Sequence, residues 1–243
     1  MNRFTKWINQ KETDHYTKKL IKITEEIKLI SKDFESLSTD ELSNEFQKYK
    51  KQTKEEATKN LKYVYAIVYV LFKKIYNITL HDVQLHGAIA LYDGNIAEMR
   101  TGEGKTYTSA LPTILTATTA PTHVVTVNEY LAKRDKEELE PLYTTLGFTV
   151  GLNLNEMNVT QKREAYNCDI MYSTANELGF DYLKDNMVPD LAYRVNQHGF
   201  NSTLIDEVDL VLIDEARTPL IIGQDSVSPI APIMKAHNIV TTL

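Results

Sequence analysis

This sequence predicts an α/β fold: a parallel sheet with helices on both faces, preceded by a set of N-terminal helices. Three observations predict it. Downstream of Leu80, short β-branched runs alternate with helix-length segments, the texture of a covered parallel sheet. Residues 100–106, Arg-Thr-Gly-Glu-Gly-Lys-Thr, stand between one such run and a helix-forming segment, the layout of a nucleotide-phosphate cradle. Upstream, Tyr16, Leu20, Ile23, Ile27 and Ile30 recur at helical spacing within residues 13–35, one apolar stripe on a charged segment.

The N-terminal elements follow in order. Residues 13–35 form an amphipathic helix that either packs on the rest of the protein or lies on a membrane or partner surface. Ser38-Thr-Asp-Glu41 is a capping-box pattern and starts a second helix carrying Leu42, Phe46 and Tyr49. The lysine-rich residues 48–59 read as a solvated linker and helix entry. Residues 61–76 read as a buried helix; its apolar run, bracketed by Lys62 and Lys73, is too short for a bilayer core of ~30 Å.

The sheet elements follow from Leu80. Strands are expected at residues 95–99, 123–127, 149–154, 169–173 and 203–205, and helices at 105–118, 129–146, 159–166 and 176–186. The single cysteine, Cys168, excludes an intrachain disulfide and any cysteine-based zinc site. It is expected as a small core hydrophobe at the start of a buried strand. Residues 223–243, with Pro229 and Pro232, show no strong period.

The chemistry sits in two motifs. In the loop, Gly102 and Gly104 let backbone amides approach phosphate oxygens. Lys105 can reach the terminal phosphates, and the Thr106 hydroxyl can ligate Mg²⁺. Met99 replaces the first glycine of the strict P-loop pattern, so this is the shorter Thr-Gly-x-Gly-Lys-Thr form. The partner motif, Thr203-Leu-Ile-Asp-Glu-Val-Asp209, delivers Asp206 and Glu207 at the carboxyl end of a strand, where open α/β sheets bind ligands. Asp206 is placed for Mg²⁺, Glu207 to orient or deprotonate water. The plain alternatives are an ordinary strand-to-helix turn with an exposed lysine, and an acidic helix N-terminus.

Composition is that of a globular protein: 243 residues, 42% hydrophobic and 25% charged. The net charge of −6 argues against a dedicated nucleic-acid binder. Charges at Arg3, Lys6 and Lys11 precede no apolar run, so no signal peptide is expected.

Several stretches together resemble the SecA preprotein-translocase motors. Gln84, in Asp82-Val-Gln-Leu85, resembles the family's Q motif, and residues 95–106 resemble its phosphate loop. Residues 123–135 and 176–187 are similar to its next two motor motifs. The most diagnostic stretch is 204–223, where a doubled Ile-Asp-Glu is followed by Ala-Arg-Thr-Pro-Leu-Ile. The resemblance implies a RecA-like P-loop lobe of an ATP-driven motor that threads preproteins through a SecY-type channel. It works from the cytoplasm and the cytoplasmic face of a bacterial cell membrane, on an anionic lipid surface, with no nucleic acid and with homodimers in the full-length form. It implies ATP and Mg²⁺ as cofactors, with Gln84 on adenine and Gly102, Glu103, Gly104, Lys105 and Thr106 on the phosphates. Thr106 and Asp206 would serve the metal, with Glu207 and Lys105 catalytic. Asp214-Glu215 would be structural, pairing with Arg217.

The implied domains are a helical region at 1–76, the first nucleotide-binding domain at 77–223, and at 224–243 the start of a substrate-crosslinking domain. Ile78 and His81 stand where the family more often has Met and Phe. The stretches 65–73 and 86–89 also depart from its pattern, pointing to an accessory type. The family's second lobe supplies arginines across the ATP, and none follows within these residues. Weak nucleotide binding and little turnover are therefore expected from this chain alone. Two other readings stay open: a nucleic-acid helicase sharing the loop and the Asp-Glu-Val-Asp box, and a non-enzymatic module that binds through its N-terminal helix.

Overall fold

The computed structural model describes residues 3–222, with side chains from residue 13 onward. The segment expected to open a following domain, 224–243, lies outside the described residues.

Among the described residues, four α-helices come before the sheet's own elements. The first, α1 (Arg3–Phe34), packs along α3 (Lys54–Tyr76) and against α4 (Asp82–Tyr92). Of its expected stripe, Ile27 is fully buried, and Leu20, Ile23 and Ile30 pack at the edge of the core. Between α1 and α3, α2 (Thr39–Phe46) opens on the expected capping box of Ser38 and Glu41. A second box, Thr53 with Glu56, starts α3 earlier than the apolar run suggested. Asn77, at φ 56°, ends α3 in the left-handed conformation that asparagine tolerates. Among the described residues, no helix is long and apolar enough to cross a membrane.

Among the described residues four strands follow: β1 (Thr122–Thr126), β2 (Val150–Leu152), β3 (Ile170–Thr174) and β4 (Ser202–Ile205). All pairings are parallel, in the order β2-β3-β1-β4. Side-chain alternation divides the sheet into two faces. The register aligns Leu152, Tyr172, Val124 and Leu204 in one row, which joins the core shared with α3, α5 (Lys105–Ala117) and α6 (Glu129–Thr145). On the other face Met171 packs with Ala165 and Tyr166 of α7 (Val159–Tyr166) and with Leu178 of α8 (Ala175–Asp185). Gly151 permits this close approach: a Cβ there would stand 2.6 Å from the carbonyl oxygen of Ala165. The predicted α/β class, a parallel sheet covered on both faces, is therefore the observed one.

Two expectations need correction. Residues 95–99 are not a buried strand. They run without ladder hydrogen bonds, and Ile96 is 77% exposed. A cavity of about 800 Å³ separates them from β4, so their backbone groups have no strand to pair with. Strand propensity expresses itself only against a neighbour. Cys168 also differs. It sits half-buried in the turn before β3, its thiol 3.4 Å from the Glu164 carbonyl oxygen, because β3 begins two residues later.

Candidate nucleotide site

The phosphate loop runs from the unpaired segment into α5. Gly102 and Gly104 have φ values of 84° and 78°, a region that glycine alone enters without strain. Gly104 is needed twice over, since a Cβ at this position would stand 2.3 Å from Gln84 Nε2. Gln84, on α4 and only 4% exposed, braces the loop from behind. Its Nε2 donates to the Glu103 carbonyl (3.0 Å), and its Oε1 accepts from the His81 N–H (2.8 Å). Glu103 closes the loop on itself, its carboxylate accepting the Arg100 N–H at 2.8 Å.

This leaves a set of donors without acceptors. Helices α2, α3, α6, α7 and α8 each have a side chain at the N-cap that accepts a backbone N–H. Helix α5 starts at Gly104, which has no side chain to do so. Among the described residues the N–H groups of Gly104, Lys105 and Thr106 donate to no protein acceptor. Such converging amides at a helix N-terminus are what an anionic phosphate requires.

The carboxylates arrive at the end of β4. Asp206 N–H donates to the Val125 carbonyl at 2.8 Å, continuing the sheet by one bond. Asp206 Oδ1 then accepts the Glu207 N–H at 3.0 Å. Glu207 adopts φ 50°, a left-handed conformation that costs a non-glycine residue roughly 1–3 kcal/mol and clusters at functional sites. The turn brings Glu207 Oε1 to 3.4 Å from Lys105 Nζ, across the site. Burial raises the Asp206 carboxyl above its ordinary range, and the neighbouring Glu207 charge adds to this. The Glu207 backbone N–H, Lys105 and Arg134 pull the other way.

The donor set fits a magnesium nucleotide better than a bare metal. Among the described residues no group of three or more His, Cys, Asp or Glu could hold a metal ion. Thr106 and Asp206 offer two oxygens, leaving the rest to phosphate and water, the usual circumstance of Mg²⁺.

The fold thus assembles Gly102, Glu103, Gly104, Lys105, Thr106, Asp206 and Glu207 around one loop. Gln84 is tied to that loop with one N–H and one lone pair of its amide uncommitted. The expected pairing of Asp214 or Glu215 with Arg217 does not form among the described residues. All three are exposed, around a π-helical turn at Leu210–Asp214. Sequence reasoning missed Arg134 on α6, whose charge favours ionised Asp206, and its partner Asp135, whose carboxyl the Asp206 charge helps to raise. It also missed Tyr107, whose hydroxyl is pushed up to about 12, first by its hydrogen bond to Glu138. The Arg-Asp pair closing the 123–135 motif was the available signal.

A family described as the SecA DEAD-like domain matches residues 3–243. The chain is 49% identical over 213 residues to a protein translocase subunit SecA of Francisella philomiragia, covering 86% of this chain and 23% of that protein. It is 45% identical over 233 residues to a protein translocase subunit SecA of Campylobacter jejuni subsp. doylei, covering 94% of this chain and 27% of that protein. The chain therefore spans about a quarter of the length of these curated relatives. On this evidence the chain belongs to the SecA DEAD-like domain family.

Proposed function

We propose that this chain is the first nucleotide-binding lobe of a SecA-type motor, binding ATP for the export of preproteins. One observation carries the reading: α5 begins without a side-chain cap, and its first residue Lys105 brings Nζ to 3.4 Å from Glu207 Oε1 just past the end of β4. In this reading the loop amides and Lys105 bind the phosphates, and Thr106 and Asp206 orient the metal. Glu207, released from Lys105 by the competing phosphate charge, positions the attacking water and accepts its proton. Mg²⁺ supplies charge neutralisation on the phosphate oxygens. Gln84 offers its remaining donor and acceptor to the adenine edge. The partners of the whole motor are preproteins, a SecY-type channel and an anionic cytoplasmic membrane face, with homodimers in the full-length form. The domain division at residues 76 and 223 and the accessory type belong to the same reading.

The net charge of −6 supports preprotein transport over a helicase role. Fluorescent-nucleotide titration of the 243-residue chain tests the proposal. Wild type is expected to bind ATP with Mg²⁺, Lys105→Ala to lose about tenfold or more, and neither to turn over rapidly. Absence of ATP binding overturns the site, and brisk hydrolysis by this chain alone overturns the need for a second lobe.

A further inference from the structure

One side chain set directly against the phosphate loop has no part in the chemistry above: Tyr107, the residue after Thr106. We propose that Tyr107 is a positioning residue of the nucleotide site, its ring fixing how α5 is turned about its axis and so where Lys105 and Thr106 point. The role rests on the nucleotide-binding reading and extends it.

Three observations support it. Tyr107 belongs to the first turn of α5, where its N–H donates to the Gly104 carbonyl at 3.1 Å. Its Cδ2 atom lies 3.6 Å from where a Gly104 Cβ would stand, so the ring flanks the last glycine of the loop. The ring is then gripped from α3. Its centroid is 5.5 Å from that of Phe72, edge to face, and 6.3 Å from that of Tyr76. Phe72 and Tyr76 are themselves 5.5 Å apart. Phe72 is fully buried, so the grip is anchored in close-packed core that yields little. Finally, both tyrosines end on one residue of α6. Glu138 accepts the Tyr76 hydroxyl on its carbonyl oxygen at 2.8 Å and the Tyr107 hydroxyl on its side chain.

Successive side chains of a helix stand about 100° apart around a common axis. Holding Tyr107 toward α3 and α6 therefore sets the directions of Lys105 and Thr106, the two residues before it. A rotation of about 10° would carry a side-chain atom ~6 Å from the axis by about 1 Å. Misplacement of about 1 Å at a reacting group costs on the order of a hundredfold. Gln84 steadies the loop ahead of the helix, through the Glu103 carbonyl, and that bond leaves the rotation of α5 free. An aromatic ring that only filled the edge of the core would change stability and leave the metal dependence of nucleotide binding untouched.

Dissociation constants of the 243-residue chain for ATP, with Mg²⁺ and with EDTA, test this by competition against a fluorescent nucleotide. They are measured where circular dichroism shows each variant fully folded. Tyr107→Leu should weaken ATP with Mg²⁺ about tenfold or more. It should also shrink the gain in affinity that Mg²⁺ gives wild type, because Thr106 is displaced along with Lys105. Tyr107→Phe keeps the ring and loses only the hydroxyl bond, so it should recover most of both, leaving a loss of about threefold. Wild-type affinity in Tyr107→Leu overturns the proposal. So does a weakening that leaves the Mg²⁺ gain intact, or one that Tyr107→Phe shows in full. If Tyr107→Leu fails to fold, Tyr107→Phe and Glu138→Ala decide the matter. Each removes the same hydroxyl bond, so the double variant should lose no more ATP affinity than either single one. Additive losses, or none, overturn the proposal. Wild type that binds no ATP defeats the nucleotide site itself. ATP binding that is sensitive to Lys105→Ala but indifferent to Tyr107→Leu defeats this inference alone.

Discussion

At Gly104 one hydrogen atom decides whether the phosphate loop can exist. Its φ of 78° and the 2.3 Å approach of Gln84 Nε2 to a Cβ position leave no room for a methyl group. Gly104→Ala must strain the backbone and push away the amide that braces the loop. We expect a loss of about 1–3 kcal/mol in stability, with nucleotide affinity falling further, checked by urea melts and titration. The candidate residues Lys105, Thr106, Asp206 and Glu207 could be picked out from residue type and order alone, because a phosphate-and-metal site would need those types in that order. The brace from Gln84 and the left-handed Glu207 could not, since both depend on how α4 and β4 are set against the loop. A second residue-scale consequence concerns pH. His123 is 2% exposed, its ring edge-on to Tyr166 and tilted against Phe200. Burial lowers its proton affinity below the ordinary 6.5, against a smaller opposing hydrogen bond with the Ser202 backbone. The unfolded chain therefore binds the proton more readily. This contribution is complete above about pH 6.5 and is lost as pH falls through the folded value. Half-buried His86 is lowered by burial too and acts in the same direction. Urea midpoints should fall between pH 7.5 and 5.5, and His123→Phe should flatten that slope.

At the scale of elements, caps and periods told most of the story. The Ser38 box was readable as a local pattern, and α7 begins and ends where its sequence indicated. Residues 95–99 misled because a strand is a relation between two segments, and β4 stands across a cavity from them. Nor could any local pattern reveal how α7 and α8 are joined on the far face of the sheet. Lys162 of α7, buried, donates to Glu177 (2.7 Å) and Asp181 (2.8 Å) of α8. Asp181 also accepts from Asn153 and Tyr166. Asp185, on the same helix, accepts the N–H groups of Val195 and Asn196 and so fixes the approach to β4. Removing the lysine leaves two buried carboxylates unpaired. Lys162→Met is expected to cost about 3–5 kcal/mol, read as a lower urea midpoint. If instead the variant melts with wild type, the network is not what binds the two helices.

For the whole molecule, the deciding fact is that one apolar cluster runs from Ile27 of α1 through α3 and α5 to Tyr172 of β3. The first helix was legible as amphipathic, but its periodicity could not say what it packs on. In the structure α1 lies on α3 and α4, with Lys19 and Tyr16 both reaching Asp93 at the end of α4. Exposed ion pairs of this kind add little, so the docking depends on the buried apolar contact at Ile27. A shared core makes the helical layer and the sheet melt together, because neither can expose its half without opening the other. Far-UV circular dichroism, which follows the helices, and near-UV dichroism of the buried Tyr65, Tyr143 and Tyr172 should therefore trace one transition in urea. Ile27→Ala, a deletion from a filled site, should move both traces together by about 2–5 kcal/mol. Traces that separate, with helical signal lost first, would mean that α1 detaches while the sheet stays folded. That outcome would return the N-terminal helix to the surface-binding role its sequence also allowed, available to a membrane without unfolding the nucleotide site.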